Sequence, residues 1–336
     1  MIIYNGKSSF TDFDLYVASK EVPPAQLKEI TESVPFMNGV WDFSFCNDEQ
    51  GEYEPVTLKY TFDVIEDTKK DLNALKKSIN KWLHSRGEQK LYDTDISTTE
   101  YYKVYNVKAG WSEEGLQGLV TVEFKCYPFM LLEKSTGAIE LTTDPQTLTI
   151  ENEGGRVVGA TFEIASKNLV ENYVVILNST QYVVCLYAKA DLKPNTVYTI
   201  SFVGAKGHNI YLNENLFIET GLYLLTGERQ SITVTTKSDI SPQKSSMYDD
   251  NGWMIIKNRG GNTITPSFSN IQIEKGTIAT EYTPYIDANA TIIDGVNSYA
   301  LSAGKHTNVL RLQTGENTFN VSGAGLITAT YTEESI

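Results

Sequence analysis

Three kinds of residue could do chemistry in this chain: carboxylates, aromatic rings, and a few histidines and cysteines. The chain holds 42 Asp and Glu. A glycosidase needs two of them facing one sugar bond at a set separation. With so many, candidate pairs are unavoidable, but none sits in a distinctive motif, so solvated surface carboxylates account for them. Sugar binding demands an aromatic face for the apolar side of a pyranose and planar polar groups for its hydroxyls. Trp253 lies in GWMIIKN. If Met254 and Ile256 point into a core, strand alternation puts Trp253, Ile255 and Lys257 on the other face. In SNIQIEKG the same rule sends Ile271 and Ile273 inward and leaves Asn270, Gln272 and Glu274 outside. The result is a sugar platform of Trp253, Gln272 and Glu274, with Asp249, Asp250, Asn258, Arg259, Tyr211 and His208 lining it from loops. A core Trp253 with solvated Gln272 and Glu274 satisfies the same pattern.

Asp249-Asp250-Asn251-Gly252 invites a calcium reading. A hard cation wants six to eight oxygens from several segments; this stretch lacks the spaced acids and terminal Glu of an EF-hand, and a polar turn explains it. Cys46, Cys126 and Cys185 are far apart, odd in number and match no zinc or redox spacing. His84, His208 and His306 are scattered too, so neither a metal site nor a cofactor is expected. The formal net charge of -14 disfavours nucleic acid as a partner, because that binding requires phosphates neutralised by Lys and Arg.

These residues need elements to position them. With 336 residues, 41% hydrophobic and 21% charged, the chain is an ordinary globular sequence long enough for two or three domains. Period-2 alternation marks strands at Thr57 to Val64, Leu119 to Phe124, Leu148 to Ile150, Val197 to Phe202 and Ile271 to Ile273. One helix is predicted, Thr68 to Arg86, from the stripe Leu72, Leu75, Ile79, Trp82 and Leu83, with Asp67 as its cap and Gly87 beyond its last turn. Upstream, VPPAQLKEITESVPFMNGVWDFS is long for a loop, and such loops tend to bind partners. Composition turns small and polar from Glu133 to Thr143, which suggests a boundary. The strands of Gln146 to Ile164 and of Ala290 to Tyr331 are each too few for a sandwich but suffice together. A discontinuous β-sandwich interrupted by an insertion, about Asn168 to Tyr285, follows. The opening MIIYNGKSSF has no leader pattern, and no run of 18 apolar residues exists to span a membrane.

The order of elements over the first 134 residues resembles the N-terminal belt domain of siphophage distal tail proteins. The strand segment MIIYNGKSSFTDFDLYV leads into a Pro-containing arm. VPFMNGVWDF is similar to the family's "vPgrnG" stretch, with Phe36 where Gly is usual. YEPVTLKYTFDV, the helix ending in KWLHSRGEQKLYDTD, EYYKVYNV and VTVEFKCYPFM follow in the family's order. The ending ALSAGKHTNVLRLQTGENTFNVSGAGLITATY resembles the close of that family's galectin-like domain, and SFSNIQIEKGTIATEYTPY resembles the closing phrase of carbohydrate-binding jelly rolls in phage tails.

The resemblance implies a mainly β chain in three parts: a belt domain (β-sandwich plus one helix) over 1–134, a galectin-like β-sandwich over 135–167 and 286–336, and an inserted jelly-roll β-sandwich over 168–285. It implies a structural hub rather than an enzyme. Six copies would form a ring joining the tail tube to a tail-tip protein in the virion of a bacteriophage, after synthesis in a host cytoplasm. The ring interface is expected at belt edges and the arm, at Pro23, Pro24, Pro35, Asn38 and Trp41. The inserted module would take a bacterial surface saccharide. His306, Asn308 and Arg311 are similar to a galectin sugar motif, but the Arg stands one residue too far along and no Trp follows it; they are taken as fold surface. Two other readings stay open: a host-adhesion lectin anchored by its belt, and an exo-acting glycan hydrolase.

Overall fold

The computed structural model describes residues 1–45, 50–84, 87–178, 183–219, 221–241, 252–259 and 268–335. Among the described residues one helix accompanies 23 strands, so the chain is mainly β. The N-terminal part contains β1 (Ile2–Tyr4), β2 (Lys7–Ser8), β3 (Tyr16–Glu21), β4 (Thr31–Glu32), β5 (Trp41–Asp42) and β6 (Val56–Ile65). Then come α1 (Lys69–Leu83), β7 (Gln89–Asp93), β8 (Tyr101–Glu114) and β9 (Gln117–Leu141). Strand β6 buries Val56, Leu58, Tyr60, Phe62 and Val64 on one face, as its alternation requires. It runs antiparallel to β9, with Tyr60 opposite Val122.

Helix α1 lays Leu72, Ile79, Trp82 and Leu83 onto that core, with Leu75 partly buried beside them. The Trp82 ring stacks on Phe13 at 4.7 Å, and its Nε1 donates to the Tyr4 carbonyl at 2.7 Å. The cap differs from the expected Asp67. Thr68 takes extended backbone, and its Oγ1 accepts from the Asp71 N–H. Of the expected helix end, Ser85 and Arg86 lie outside the described residues.

Next come β10 (Gln146–Asn152) and β11 (Val158–Ala165). They are followed by β12 (Val170–Asn178), β13 (Val183–Ala190), β14 (Val197–Gly204), β15 (Asn209–Leu212), β16 (Leu222–Leu224), β17 (Arg229–Thr235), β18 (Gly252–Arg259) and β19 (Phe268–Lys275). The last four are β20 (Asn289–Asp294), β21 (Asn297–Ser302), β22 (Gly304–Leu312) and β23 (Gly315–Ser335). One apolar cluster draws on both sides of the intervening eight strands: Leu148 and Ile150, Phe162 and Ile164, then Ile292, Leu312, Phe319 and Val321. A separate cluster, including Leu186, Phe202, Ile210, Ile255 and Ile273, lies between the sheets β12-β13-β18-β15-β16 and β17-β14-β19.

The chain segments that bracket those eight strands run side by side. The buried Asn168 side chain donates to the Thr283 carbonyl at 2.9 Å and accepts from Val170 N and Ile273 N. Ends held this close make an insertion thermodynamically mild. At the composition shift near Glu133, by contrast, the chain makes no loop. Strand β9 runs through it and pairs with β23 from Leu141 opposite Gly325 to Met130 opposite Ser335. No helix among the described residues is long and apolar enough to cross a membrane.

Candidate functional site

The long loop becomes an arm. Its root is a ladder: Leu27 bridges Tyr53, Lys28 N donates to Glu52 O, and Glu54 N donates to Gln26 O. Further out, β4 pairs with β5, Thr31 opposite Asp42 and Glu32 opposite Trp41. Ser44 fastens this turn, its Oγ accepting from Ile30 N at 2.9 Å while its N–H donates to the Asp42 carboxylate at 2.8 Å. Hydrogen bonding from the Ser44 hydroxyl, and then from its N–H, holds Asp42 below the usual carboxylate range.

The tip has no core of its own. All of residues 31–42 are exposed, Pro35, Asn38 and Trp41 among them, and Pro23 and Pro24 are exposed at the root. Val34, Phe36, Met37, Val40 and Trp41 are large apolar side chains left in solvent, Phe36 fully and Trp41 at 53%. The Trp41 ring stacks loosely on Phe43 at 6.3 Å, and its Nε1 donates to Met37 Sδ at 2.8 Å. Phe36 has φ +69, a left-handed conformation that fits the glycine expected at that position. Five open apolar side chains gathered on one hairpin make an exposed patch of the kind that another molecule covers.

The three residues expected at the centre of the sugar platform, Trp253, Gln272 and Glu274, are all buried. Gln272 is fully buried and Glu274 is 6% exposed. They do alternate with the core residues Ile271 and Ile273, so they stand on the outer face of β19, but the outgoing chain covers that face. Thr280 donates through Oγ1 to Glu274 at 2.5 Å and through N to its other oxygen at 3.1 Å. Gln272 donates to Thr280 Oγ1 at 3.2 Å and accepts from Thr283 N at 3.0 Å and from Arg229 at 3.2 Å. Arg229 also donates to the carbonyls of Asn270 and Thr280. Buried polar groups fully partnered in this way fasten a segment in place.

Trp253 differs from its expected orientation as well. The β13–β18 ladder shifts register between Leu186 and Tyr187, so Ile255 is the extra residue between paired Met254 and Ile256. This bulge breaks the alternation and turns Trp253, Ile255 and Ile256 all into the cluster, with Met254 buried too. The Trp253 indole donates to the Ala190 carbonyl at 2.8 Å. Tyr211 stands on the outer face of the same sheet, on β15, 38% exposed, between the buried Ile210 and Leu212. His208 is partly buried in the turn before it, and its Nδ1 has no hydrogen-bond partner. Asn258 and Arg259 lie on β18 opposite Val184 and Val183. Asp249 and Asp250, and with them the calcium-like segment's first residues, lie outside the described residues.

The galectin-like trio sits on β22. Asn308 is at a bulge with φ +53, and its Oδ1 lies where a side chain on Gly159 would begin, 2.3 Å from that position. His306 Nε2 is 2.8 Å from the Ser302 carbonyl. Among the cysteines, Cys126 is buried in the first core, which pushes its thiol up to about 12. Sequence reasoning passed over Asn168, Arg229, Thr280 and Thr283. The signal was present in the phrase NIQIEKGTIATEYTPY, whose polar residues serve one another.

No curated protein matches the chain. Several solved structures are similar to it. The Dit protein of phage SPP1, described as a paradigm of the hub adsorption apparatus in phages infecting Gram-positive bacteria, aligns over 100% of this chain and 98% of its own, with TM-score 0.44 and 12% identity. A chain of the phage P2 baseplate in its activated conformation aligns over 97% and 92%, with TM-score 0.33 and 8% identity. A family model for the phage tail protein RIFT-related domain matches residues 5–126, inside the belt expected over 1–134. Residues 5–126, ending within β9, are thus the segment of this chain that is similar to the phage tail protein RIFT-related domain.

Proposed function

We propose that this chain is a structural distal tail protein of a bacteriophage virion, a baseplate hub without catalysis or organic cofactor. Six copies form a ring that joins the tail tube to a tail-tip protein. The observation that carries this reading is the arm: Val34, Phe36, Met37, Val40 and Trp41 exposed on a hairpin that leaves the phage tail domain. Head-to-tail contacts made by such a projection close into rings when the rotation allows. The three apolar clusters support a division into a belt over 1–134, a discontinuous galectin-like sandwich over 135–167 and 286–336, and an insertion over 168–285. A net charge of -14 fits a lumen lined with carboxylates, to which passing DNA does not adhere. Light scattering of the purified chain across concentrations tests the ring: a mass of six chains is expected, and a persistent monomer even with its tail neighbours present would overturn it.

A second reading, saccharide binding by the insertion, is favoured by one observation. Tyr211 keeps an open ring on the outer face of β15, 38% exposed, a surface on which the apolar side of a pyranose can stack. Titration calorimetry with wall-saccharide fragments of Gram-positive bacteria checks it: heat of binding is expected from the whole chain and none from Tyr211→Ala. Equal binding by both would remove Tyr211 from the site.

A further inference from the structure

The turn between β10 and β11 is built with unusual rigidity for a surface turn. Asn152, fully buried, donates to the carbonyls of Arg156, Leu312 and Gln313 and accepts from Gly154 N. Gly155 N donates to the Glu334 carbonyl, and Glu153 N to the Glu333 carboxylate. A Cβ on Gly154 would come within 2.9 Å of the Glu334 backbone, so the turn lies flat on the end of β23. What this platform presents is one side chain, Arg156, only 13% exposed.

Arg156 reaches out of the second unit, the one whose core is shared by β10, β11, β20, β22 and β23, to the root of the arm. Its Nη1 donates to the Gln50 carbonyl and its Nη2 to the Gly51 carbonyl, each at 3.2 Å. Its Nε donates to the Glu334 carboxylate at 3.0 Å. The guanidinium carbon lies over the Tyr53 ring, at 5.1 Å, and over the Phe129 ring, at 4.7 Å, two rings that meet edge to face with centroids 4.9 Å apart. Tyr127, kept protonated by burial and by Glu334, donates to the same carboxylate at 2.7 Å. Beside it, Val157 N donates to the Gln50 side chain at 2.7 Å. Tyr53 is the residue that bridges Leu27 on the outgoing leg, so what Arg156 grips fixes both legs.

From this geometry we infer that Arg156 is the positioning residue of the arm: the second unit, through one guanidinium, sets the direction in which the apolar tip meets a neighbouring copy of the chain. The neighbour's role rests on the ring reading above; the grip on the arm root does not. The chemistry is specific to arginine. Two carbonyls, a carboxylate and two ring faces are served at once by a planar fork with five donors, and a lysine ammonium offers neither the plane nor the spacing.

The test compares the full chain with Arg156→Ala and Arg156→Lys. Amide hydrogen exchange at Lys28 and Glu54, the two donors of the root ladder, is expected to quicken by about tenfold or more in both variants. Exchange at Val122 and Phe124 in the first core stays slow, which shows that the fold survives. Unchanged protection at Lys28 and Glu54 in Arg156→Ala overturns the grip itself, whether or not a ring exists. Where the wild-type chain forms the six-copy species, both variants are expected to need about tenfold higher concentration to form it. Loosened exchange with unaltered assembly would overturn the positioning role while leaving the grip intact. A wild-type chain that never assembles counts against the ring reading, and the exchange result then still decides the grip.

Discussion

Thr280 is small, and nothing in its own identity marks it, yet it satisfies two buried side chains at once. Its hydroxyl donates to Glu274 and accepts from Gln272, and its N–H serves the second oxygen of Glu274. Replacing it by the isosteric valine leaves those side chains short of a partner in a place water reaches poorly. Thr280→Val is therefore expected to lower unfolding stability by about 1–3 kcal/mol in urea. An unchanged midpoint would mean that water substitutes freely and that the outer face of β19 is more open than its burial indicates. Glu219 provides the counterpart in pH. Burial pushes its carboxyl up, but donation from Thr235 N at 2.5 Å and Thr235 Oγ1 at 2.8 Å outweighs that and leaves it below the ordinary range. A depressed carboxyl stabilises fully above its unfolded value and loses that contribution as pH falls through its folded value. Stability of the wild-type chain should thus decline below about pH 4 more steeply than that of Glu219→Gln. Parallel curves for the two proteins would show that Thr235 does not hold the carboxylate in solution. The sequence placed Gln272 and Glu274 on the face opposite Ile271 and Ile273, as parts of a sugar platform. It could not show their partners, since alternation gives the face of a residue and not what lies over that face.

At the scale of elements, legibility tracked how far each element obeys a single period. Helix α1 was readable because Leu72, Ile79, Trp82 and Leu83 repeat on one side, and all four are buried. Its start moved by one residue. Thr68 and Asp71 stand three apart, a capping pair visible in the sequence, in which the Thr68 hydroxyl accepts from Asp71 N and donates to the Asp71 carboxylate. Thr68→Ala should cost about 1 kcal/mol of stability in chemical denaturation, whereas Asp67→Ala should cost a few tenths at most. The reverse order would return the cap to Asp67. The long strands were not readable. The β8–β9 ladder passes from Val104 opposite Cys126 to Tyr102 opposite Met130, leaving Pro128, which has no N–H to donate, in the gap. Beyond it β9 continues against β23, with another register shift between Thr328 and Thr330. Each irregularity resets the alternation, so one strand looks like several with a boundary between them. The bulge in β18 had the same effect on Trp253. There a single extra residue inverted the expected inside and outside.

At the scale of the whole molecule, Phe36 raises a physical problem that the proposed ring would resolve. Its backbone is left-handed at φ +69, a state that costs a residue with a Cβ about 1–2 kcal/mol. Its ring is fully exposed, so no contact within the chain offsets that cost. A glycine would relieve the strain, and glycine is what the family resemblance leads one to expect there. In the proposed ring the tip of the arm, positioned from its root by Arg156, would meet a neighbouring subunit, and burial of the Phe36 ring there would offset that cost. Phe36→Gly separates the two effects. The isolated chain should keep its stability or gain up to about 1 kcal/mol, the relief being partly offset by the greater freedom of glycine in the unfolded chain. The assembled species, measured by light scattering over a dilution series, should dissociate at about tenfold higher concentration, because an aromatic anchor has left the interface. Equal stability with unaltered assembly would mean that Phe36 faces solvent in the ring as it does alone, and the contact would then have to be sought along Val40 and Trp41. Lower stability would show instead that the ring packs within its own arm and that the left-handed backbone is repaid locally.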